Sequence, residues 1–289
     1  MKTIIIAEIG ECFNGDFYQA EELIKVSAEA GCDYAKFQTL DKDGISNDDP
    51  ERDWFLKIAL SENDLNRLMQ CCKKHNIQFL CSPENIKHAK LLKRLGCNEV
   101  KITSTCAWDE EMVDYIAQNF SIVFLSTGMA SLEDVDELMN KFDKQEKVYL
   151  MHCVSEYPTG PLLEQRGLTA LKPEDVHLRM MDILMKRYPN AVVGYSDHTS
   201  GINAPIAAVA RGAKVIEKHI TLDRSTPVKN FLEGKEYMGT DHVLSAEPEE
   251  LKTMVSSIRE VENMIGSDSW ERSEGEKILM NFLKGRFSN

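Results

Sequence analysis

Short apolar runs alternate with longer amphipathic segments along most of the chain. Each run is followed by a loop and then by a stretch with helical periodicity. This alternation predicts eight β-strands, placed at 4–8, 34–38, 77–81, 99–103, 122–126, 148–153, 191–195 and 214–219. The segments between and after them predict helices at about 17–31, 61–75, 84–95, 109–119, 131–143, 173–187, 203–212 and 248–265.

Residues at the ends of these segments support the predicted helices. Ser61 and Ser131 are each followed by acidic residues in the first turn, as is common at a helix N-terminus. Gly31, Gly96 and Gly212 follow predicted helix ends, where glycine readily adopts the left-handed conformation. Strict alternation of strands and helices implies a parallel sheet, and eight such units in about 265 residues predict a single-domain (β/α)8 barrel. The alternative is a doubly wound open sheet, which usually has fewer strands.

The composition is that of an ordinary globular protein. The chain has 289 residues, 43% of them hydrophobic and 28% charged, with a formal net charge of −13. We expect residues 1–265 to form the barrel and residues 266–289 to form a polar tail, linker or short terminal helix. The negative charge argues against nucleic acid or a membrane surface as a partner. No apolar run is long enough to span a membrane and no signal peptide is evident, so we expect a cytoplasmic location.

Polar residues cluster where the predicted strands end. In a (β/α)8 barrel, chemistry takes place at the carboxyl ends of the strands and in the loops that follow them. The candidate residues there are Glu8, Lys36, Gln38, Ser82, Lys101, Ser104, Ser126, Ser155, Tyr157, Ser196, His198, Glu217 and His219. Charges inside a barrel are costly unless they are paired or bind a ligand, so the set predicts a functional site.

Two kinds of binding group are expected within this set. His198 and His219 end adjacent strands, where two imidazoles can meet at one divalent cation. Lys36 and Lys101 lie two strands apart with serines near them, an arrangement that suits a phosphate and a carboxylate. A metal beside an anion site indicates polarisation of a carbonyl next to a phosphorylated reactant. The same lysines also leave open an aldolase-like lyase that works through a Schiff base.

Several motifs carry a resemblance to a known family. They are IAEIG…NG at 6–15, AGCDYAKFQ at 30–38, KITS at 101–104, STGM at 126–129, HCVSEYP at 152–158, GYSDHTSG at 194–201, GAKVIEKHITLDR at 212–224 and DHVLSAEPEEL at 241–251. In this order they resemble the N-acetylneuraminate (sialic acid) synthases and their relatives that make legionaminic and pseudaminic acids. The pairing of GYSDHT with IEKH some 20 residues later is the most specific part of the match.

The resemblance implies a (β/α)8 barrel that condenses phosphoenolpyruvate with the open-chain aldehyde of an N-acyl hexose. The products are a 3-deoxy-2-keto sugar acid and phosphate, and the cofactor is a divalent metal, commonly Mn²⁺, with Mg²⁺ or Co²⁺ as alternatives. By the same resemblance, His198 and His219 are the metal ligands, and Glu8 or Glu217 orients or deprotonates a water molecule. The implied phosphoenolpyruvate pocket comprises Lys36, Ser82, Lys101, Ser104, Ser126, Ser155 and Ser196. The groups implied around the acceptor sugar and the reacting carbons are Glu8, Gln38, Tyr157 and Asp241.

The chain departs from the family pattern in places. Cys12 and Phe13 stand where the first motif usually has asparagine and histidine, which we expect to change the mouth of the barrel. Family members commonly carry a small C-terminal antifreeze-like domain that reaches into the partner subunit of a dimer. The sequence ends at Asn289, where that domain would begin. We expect its contact to be absent, supplied by a separate antifreeze-like protein or replaced by the variant loops, and we expect a homodimer only on the family's precedent.

Other functions are compatible with the same motifs. One is condensation of phosphoenolpyruvate with a different aldose, as in octulosonate and heptulosonate synthases. Another is a catalytically degenerate barrel that serves as a binding subunit, which would be favoured if His198 and His219 bound no metal.

Overall fold

Eight parallel β-strands surround a common axis in the computed structural model, which describes residues 2–49, 51–157, 171–225 and 239–286. The strands are β1 (Ile4–Glu8), β2 (Tyr34–Thr39), β3 (Gln78–Pro83), β4 (Glu99–Ile102), β5 (Ile122–Ser126), β6 (Lys147–Cys153), β7 (Val192–Asp197) and β8 (Val215–His219). Their order is β3-β2-β1-β8-β7-β6-β5-β4. The strands β3 and β4 lie side by side without a shared hydrogen-bonded ladder, so the barrel is nearly closed. The predicted (β/α)8 barrel is confirmed.

Helices follow the strands and pack on the outside of the barrel. Within the described residues they are α1 (Phe17–Ala30), α2 (Arg52–Lys57), α3 (Glu62–Lys74), α4 (Ile86–Arg94), α5 (Glu110–Asn119), α6 (Leu132–Lys141), α7 (Met180–Arg187), α8 (Asn203–Ala210), α9 (Thr240–Leu244), α10 (Pro248–Ile265) and α11 (Glu274–Gly285). In this part of the chain no helix combines the length and the apolar character needed to cross a membrane. The helix α11 lies in the segment that the sequence sets apart from the barrel.

Three differences from the predicted elements are informative. The helix expected at 173–187 was wrong in its first part, because Pro173–Val176 is a short 3-10 helix. It ends at His177, whose backbone is left-handed with a φ of 46°, and a continuous helix cannot pass through such a residue. The helices α2 and α9 were not predicted, and both lie in loops that follow strand ends.

The barrel interior consists of an apolar layer beneath a polar one. Alternate strand residues point inward, and those in the amino-terminal halves form one apolar cluster: Ile6, Tyr34, Leu80, Phe124, Tyr149, Met151 and Val215. The rings of Phe124 and Tyr149 stack with centroids 4.4 Å apart, which closes the bottom of the barrel. Two residues further along several of these strands, the inward side chains are Glu8, Lys36, Ser82, Ser126 and Glu217. The period of two therefore places a charged layer directly above a packed floor.

Candidate active site

A cavity of about 470 Å³ opens at the carboxyl ends of the strands. All of the sequence-predicted site residues except Ser82 and Asp241 line it: Glu8, Lys36, Gln38, Lys101, Ser104, Ser126, Ser155, Tyr157, Ser196, His198, Glu217 and His219. Ser82 is buried beside Gln38 in the β2–β3 ladder, and Asp241 lies in the first turn of α9. The structure thus brings predicted residues from seven of the eight strand ends into a single cavity, and Ser82, the candidate from β3, does not line it.

The centre of the cavity is a buried network of two lysines and two glutamates. Lys36 Nζ donates to Glu8 Oε2 at 2.5 Å and lies 3.8 Å from Glu217 Oε1. Gln38 Nε2 donates to the other oxygen of Glu8 at 2.6 Å. Lys101 Nζ donates to Glu217 Oε1 at 3.2 Å, and the side chains of both lysines are 2% exposed. Charges this deeply buried persist only when they are paired, as these are.

The lysines determine the charge state of Glu217, whereas burial raises the pKa of Glu8 despite its bond to Lys36. Burial alone would raise the pKa of Glu217, but Lys101 and Lys36 lower it to about 2. Burial would lower the pKa of Lys36, but Glu217 and Glu8 hold it above its ordinary value. Ser196 Oγ donates to Glu217 Oε1 at 3.0 Å and further favours the carboxylate. An incoming anion therefore meets an ammonium group that is already charged.

Serine hydroxyls surround these ammonium groups. The Oγ atoms of Ser82, Ser126 and Ser155 are buried and have no hydrogen-bond partner among the described residues. A buried hydroxyl without a partner is costly, so groups of this kind often bind a ligand oxygen. Ser104 Oγ accepts a hydrogen bond at 3.1 Å from the backbone N–H of Gly128, in the loop after β5. Ser104, Ser126 and Ser155 line the cavity, and together with the lysines they suit a ligand with several anionic oxygens.

Gly128 leaves room for two of these serines. A Cβ atom at this position would lie 2.1 Å from Ser155 Oγ and 2.5 Å from Ser104 Oγ. We expect Gly128→Ala to displace both hydroxyls and to lower the free energy of unfolding by about 1–3 kcal/mol, the usual cost of overpacking. The affinity for an anionic ligand should fall as well, measured by calorimetry with phosphoenolpyruvate. Gly275→Ala in the exposed helix α11 is the matched control: it should leave ligand binding unchanged and should not lower the free energy of unfolding, because alanine favours a helix over glycine by up to about 1 kcal/mol. Unchanged binding in Gly128→Ala would contradict an anion site at Ser104 and Ser155.

The two histidines occupy the opposite side of the cavity. The ring centroids of His198 and His219 are 5.6 Å apart. His198 Nδ1 lies 2.8 Å from the carbonyl oxygen of Val154, to which it donates, so its Nε2 carries the free lone pair. Tyr157 stacks on His198 with centroids 4.2 Å apart. Asp241 Oδ2 lies 3.4 Å from His219 Nδ1, so this residue contacts the histidine although it is not among the residues that line the cavity.

The charge state of the histidines fits a metal. Burial lowers the pKa of His198 to about 4, and burial together with His198 and nearby lysines lowers that of His219 well below its ordinary value. Both rings are therefore neutral, the form that binds a divalent cation. The part of the chain that the structure describes contains no group of three or more His, Cys, Asp or Glu side chains arranged for a metal. Among the described residues, His198 and His219 are the pair that could hold such an ion.

The structure also corrects the expected effect of two substitutions in the first motif. Cys12 and Phe13 are 2% exposed and do not line the cavity. Phe13 packs edge-on against Phe37 with centroids 6.2 Å apart, and Cys12 Sγ lies 3.4 Å from Ser245 Oγ. Both side chains belong to the protein interior, so they do not alter the mouth of the barrel directly.

Sequence reasoning missed a group of cavity residues between β3 and β5. They are Glu84, Thr103, Thr105, Cys106 and Asp109. Glu84 follows Pro83, the last residue of β3, so it lies at a strand end like the other candidates. It was missed because it falls within the predicted helix at 84–95. His152 lines a separate pocket and its Nε2 contacts the carbonyl oxygen of Val176 at 2.8 Å, as expected of a satisfied core histidine.

Comparison with known proteins places this site in a family. The profile of the NeuB family matches residues 23–269, which is most of the chain. The chain belongs to the NeuB family. It is 34% identical over 302 aligned positions to N,N'-diacetyllegionaminic acid synthase of Campylobacter jejuni, covering 98% of this chain and 83% of that protein.

More distant relatives agree with this membership of the NeuB family. The human N-acetylneuraminate-9-phosphate synthase is 30% identical over 278 positions, covering 91% of this chain and 71% of that protein. The crystal structure of N-acetylneuraminic acid synthetase from Leptospira borgpetersenii, in complex with citrate, superposes with a TM-score of 0.83 at 28% identity. The superposition covers 100% of this chain and 94% of the Leptospira chain.

Proposed function

We propose that this NeuB-family chain condenses phosphoenolpyruvate with the open-chain aldehyde of an N-acyl hexose. The products would be a 3-deoxy-2-keto sugar acid of the sialic acid type and inorganic phosphate. The observation that carries the proposal is that one cavity is lined by two sets of groups. Lys36 and Lys101 on β2 and β4, with their serines, make up the anion half, and neutral His198 and His219 at the ends of β7 and β8 make up the histidine half. The names of the relatives, which are synthases of nonulosonic acids, support the same reaction class.

The anion half suits phosphoenolpyruvate. Its phosphate and carboxylate carry several anionic oxygens, which need positive charge and hydroxyl donors at close range. Lys36 and Lys101 supply the charge, and Ser104, Ser126 and Ser155 supply hydroxyls on the adjacent loops. Because the lysines are held by glutamates before the ligand arrives, little reorganisation is needed on binding.

The histidine half suits the aldehyde. We propose Mn²⁺ as the cofactor, with Mg²⁺ or Co²⁺ as alternatives, held by His198 and His219. When bound, such an ion polarises the carbonyl oxygen of the acceptor and makes its carbon electrophilic. Tyr157 stacks on His198 and fixes the plane of that ring.

The glutamates stabilise the charge that develops at the reacting carbons. Attack by C3 of phosphoenolpyruvate on the aldehyde leaves positive charge at C2, which a water molecule then captures. Glu217 remains a carboxylate in the wall of the cavity and favours this positive charge electrostatically. Glu8, fixed by Lys36 and Gln38, is in position to orient the water.

Phosphate release tests the proposal. With Mn²⁺, phosphoenolpyruvate and a panel of aldoses that includes N-acetylmannosamine, the wild-type protein should release phosphate only when an aldose is present. His198→Ala removes one of the two metal ligands and should lower the rate by at least about 100-fold. His75→Ala, at the end of α3 and outside the cavity, is the matched control and should leave the rate unchanged.

The other outcomes separate the alternatives. Release with an arabinose or erythrose derivative alone would favour an octulosonate or heptulosonate type of acceptor. A folded protein that neither binds Mn²⁺ nor releases phosphate would overturn the proposal in favour of a binding subunit.

A further inference from the structure

Glu84 is a cavity residue that the mechanism above does not use. It follows the last residue of β3, and its side chain lines the same cavity as Lys36 and Lys101. In the cyclic order of eight strands, β3 lies four places from β7 and therefore opposite it. His198 follows β7, so Glu84 lies across the cavity from the histidine half. It lies on the same side as the anion site, because Lys36 and Lys101 are on β2 and β4, the neighbours of β3.

A single side chain orients the Glu84 carboxyl. The thiol of Cys106, in the loop after β4, donates to Glu84 Oε2 at 2.7 Å. Among the described residues this is the only hydrogen bond that the Glu84 side chain makes. By contrast, Glu8 is bonded to Lys36 and Gln38, and Glu217 is bonded to Lys101 and Ser196. Among the described glutamates that line the cavity, Glu84 is thus the one whose side chain has no hydrogen bond to a lysine.

The surroundings of Glu84 favour its protonated form once substrate binds. Burial raises the pKa of Glu84, the thiol of Cys106 lowers it by donating a hydrogen bond, and Lys36 and Lys101 lower it further. Glu8, the remaining charged neighbour, acts in the opposite direction. A phosphoenolpyruvate molecule bound to the two lysines would neutralise their effect and add negative charge beside Glu84. Both changes stabilise the neutral carboxylic acid.

We propose that Glu84 is a further catalytic residue, the general acid that protonates the departing phosphate. The proposal rests on the proposed function. After water has added at C2, the bond between C2 and the bridging oxygen breaks and its electron pair goes to the phosphate. Glu84 gives its proton to that oxygen. The C2 hydroxyl loses its proton as the ketone forms, and this proton restores the acid form of Glu84. Phosphate leaves as the hydrogen phosphate dianion, and Glu84 ends as it began.

Glu84→Gln tests this role because glutamine keeps the shape and the acceptor for Cys106 but has no proton to give. We expect kcat for phosphate release to fall about 10²-fold or more, as is typical when a general acid is removed. The KM for phosphoenolpyruvate should change less than about threefold, since the lysines and serines remain. The wild-type kcat should decline at high pH as the acid form of Glu84 is lost. This alkaline limb of the pH profile should be missing in Glu84→Gln. Glu84→Asp should recover part of the activity with the alkaline limb present.

Glu133→Gln is the matched control, because it makes the same change at an exposed position in the first turn of α6, outside the cavity; it should leave kcat at the wild-type value. A fall in kcat in Glu84→Gln that leaves the decline at high pH in place would overturn the proposal. Wild-type kcat and an unchanged pH profile in Glu84→Gln would also overturn it, while leaving the proposed function intact. Failure of the wild-type protein itself to release phosphate would overturn the proposed function instead, and this inference with it.

Discussion

Lys218→Met should lower the free energy of unfolding by about 3–5 kcal/mol, the usual cost of removing one partner from a buried ion pair. Lys218 Nζ donates to Asp197 Oδ2 at 2.7 Å and also to the carbonyl oxygen of Thr199, and both charged side chains are 0% exposed. The variant would leave the Asp197 carboxylate without its cation. Urea unfolding followed by circular dichroism measures the effect.

Two further variants test whether the loss of stability comes from breaking a buried ion pair. Lys87 pairs with Asp41 and Asp43, but its side chain is 65% exposed, so Lys87→Met should cost less than about 1 kcal/mol. The double variant Asp197→Leu with Lys218→Met removes both charges and should recover part of the lost stability; the recovery is incomplete because the hydroxyls of Tyr195 and Thr199 lose Asp197 as their acceptor. A cost in Lys218→Met as small as that in Lys87→Met would contradict the role assigned to the pair. Because Asp197 precedes His198, we also expect Lys218→Met to weaken binding of the Mn²⁺ that we propose at His198 and His219.

Lys101→Met should reduce kcat/KM for phosphoenolpyruvate by about 100-fold. Hydrogen bonds to a charged group contribute about 1.5–3 kcal/mol each, and a factor of ten corresponds to about 1.4 kcal/mol. The loss of Lys101 also removes the main cause that lowers the pKa of Glu217, so this carboxylate should become easier to protonate. Steady-state kinetics with phosphoenolpyruvate varied at saturating aldose measure the change.

The control variant for Lys101→Met removes one positive charge in the same way, but outside the cavity. Lys252→Met lies on the exposed face of α10 and should leave kcat/KM unaltered. The KM for the aldose should change little in Lys101→Met, because the histidine half is intact. An equal loss for both substrates would indicate a general distortion of the cavity and would contradict a specific anion site.

Much of the fold and site could be predicted because each depends on a simple period. A strand alternates its side chains between two faces, so Lys36 with Gln38, and Glu217 with His219, had to point the same way. Parallel strands bring their carboxyl ends to one edge, which is why separate motifs meet in a single cavity. Neither argument needs a distance between residues far apart in the sequence.

What the sequence did not indicate lies where the backbone leaves these periods. Asp241 belongs to α9, outside the strand period, so the contact of its Oδ2 with His219 Nδ1 at 3.4 Å had no local signal. Glu84 stands at a strand end, but its pairing with Cys106 joins two different loops. The interrupted helix after Pro173 depends on the left-handed backbone of His177, which residue type alone does not predict. The expected helix at 84–95 included Glu84, and the structure begins α4 only at Ile86, after Asn85 caps it.

The incomplete closure between β3 and β4 has a mechanical consequence for the barrel. Separating any other pair of adjacent strands would break a ladder of backbone hydrogen bonds, whereas parting these two would break side-chain packing and the hydrogen bond from Cys106 to Glu84. Glu84 and Cys106 are carried by the two loops that follow these strands, one on each side of the gap. We therefore expect an outward movement to be easiest along this line, where it would widen the cavity while the seven hydrogen-bonded ladders stay intact.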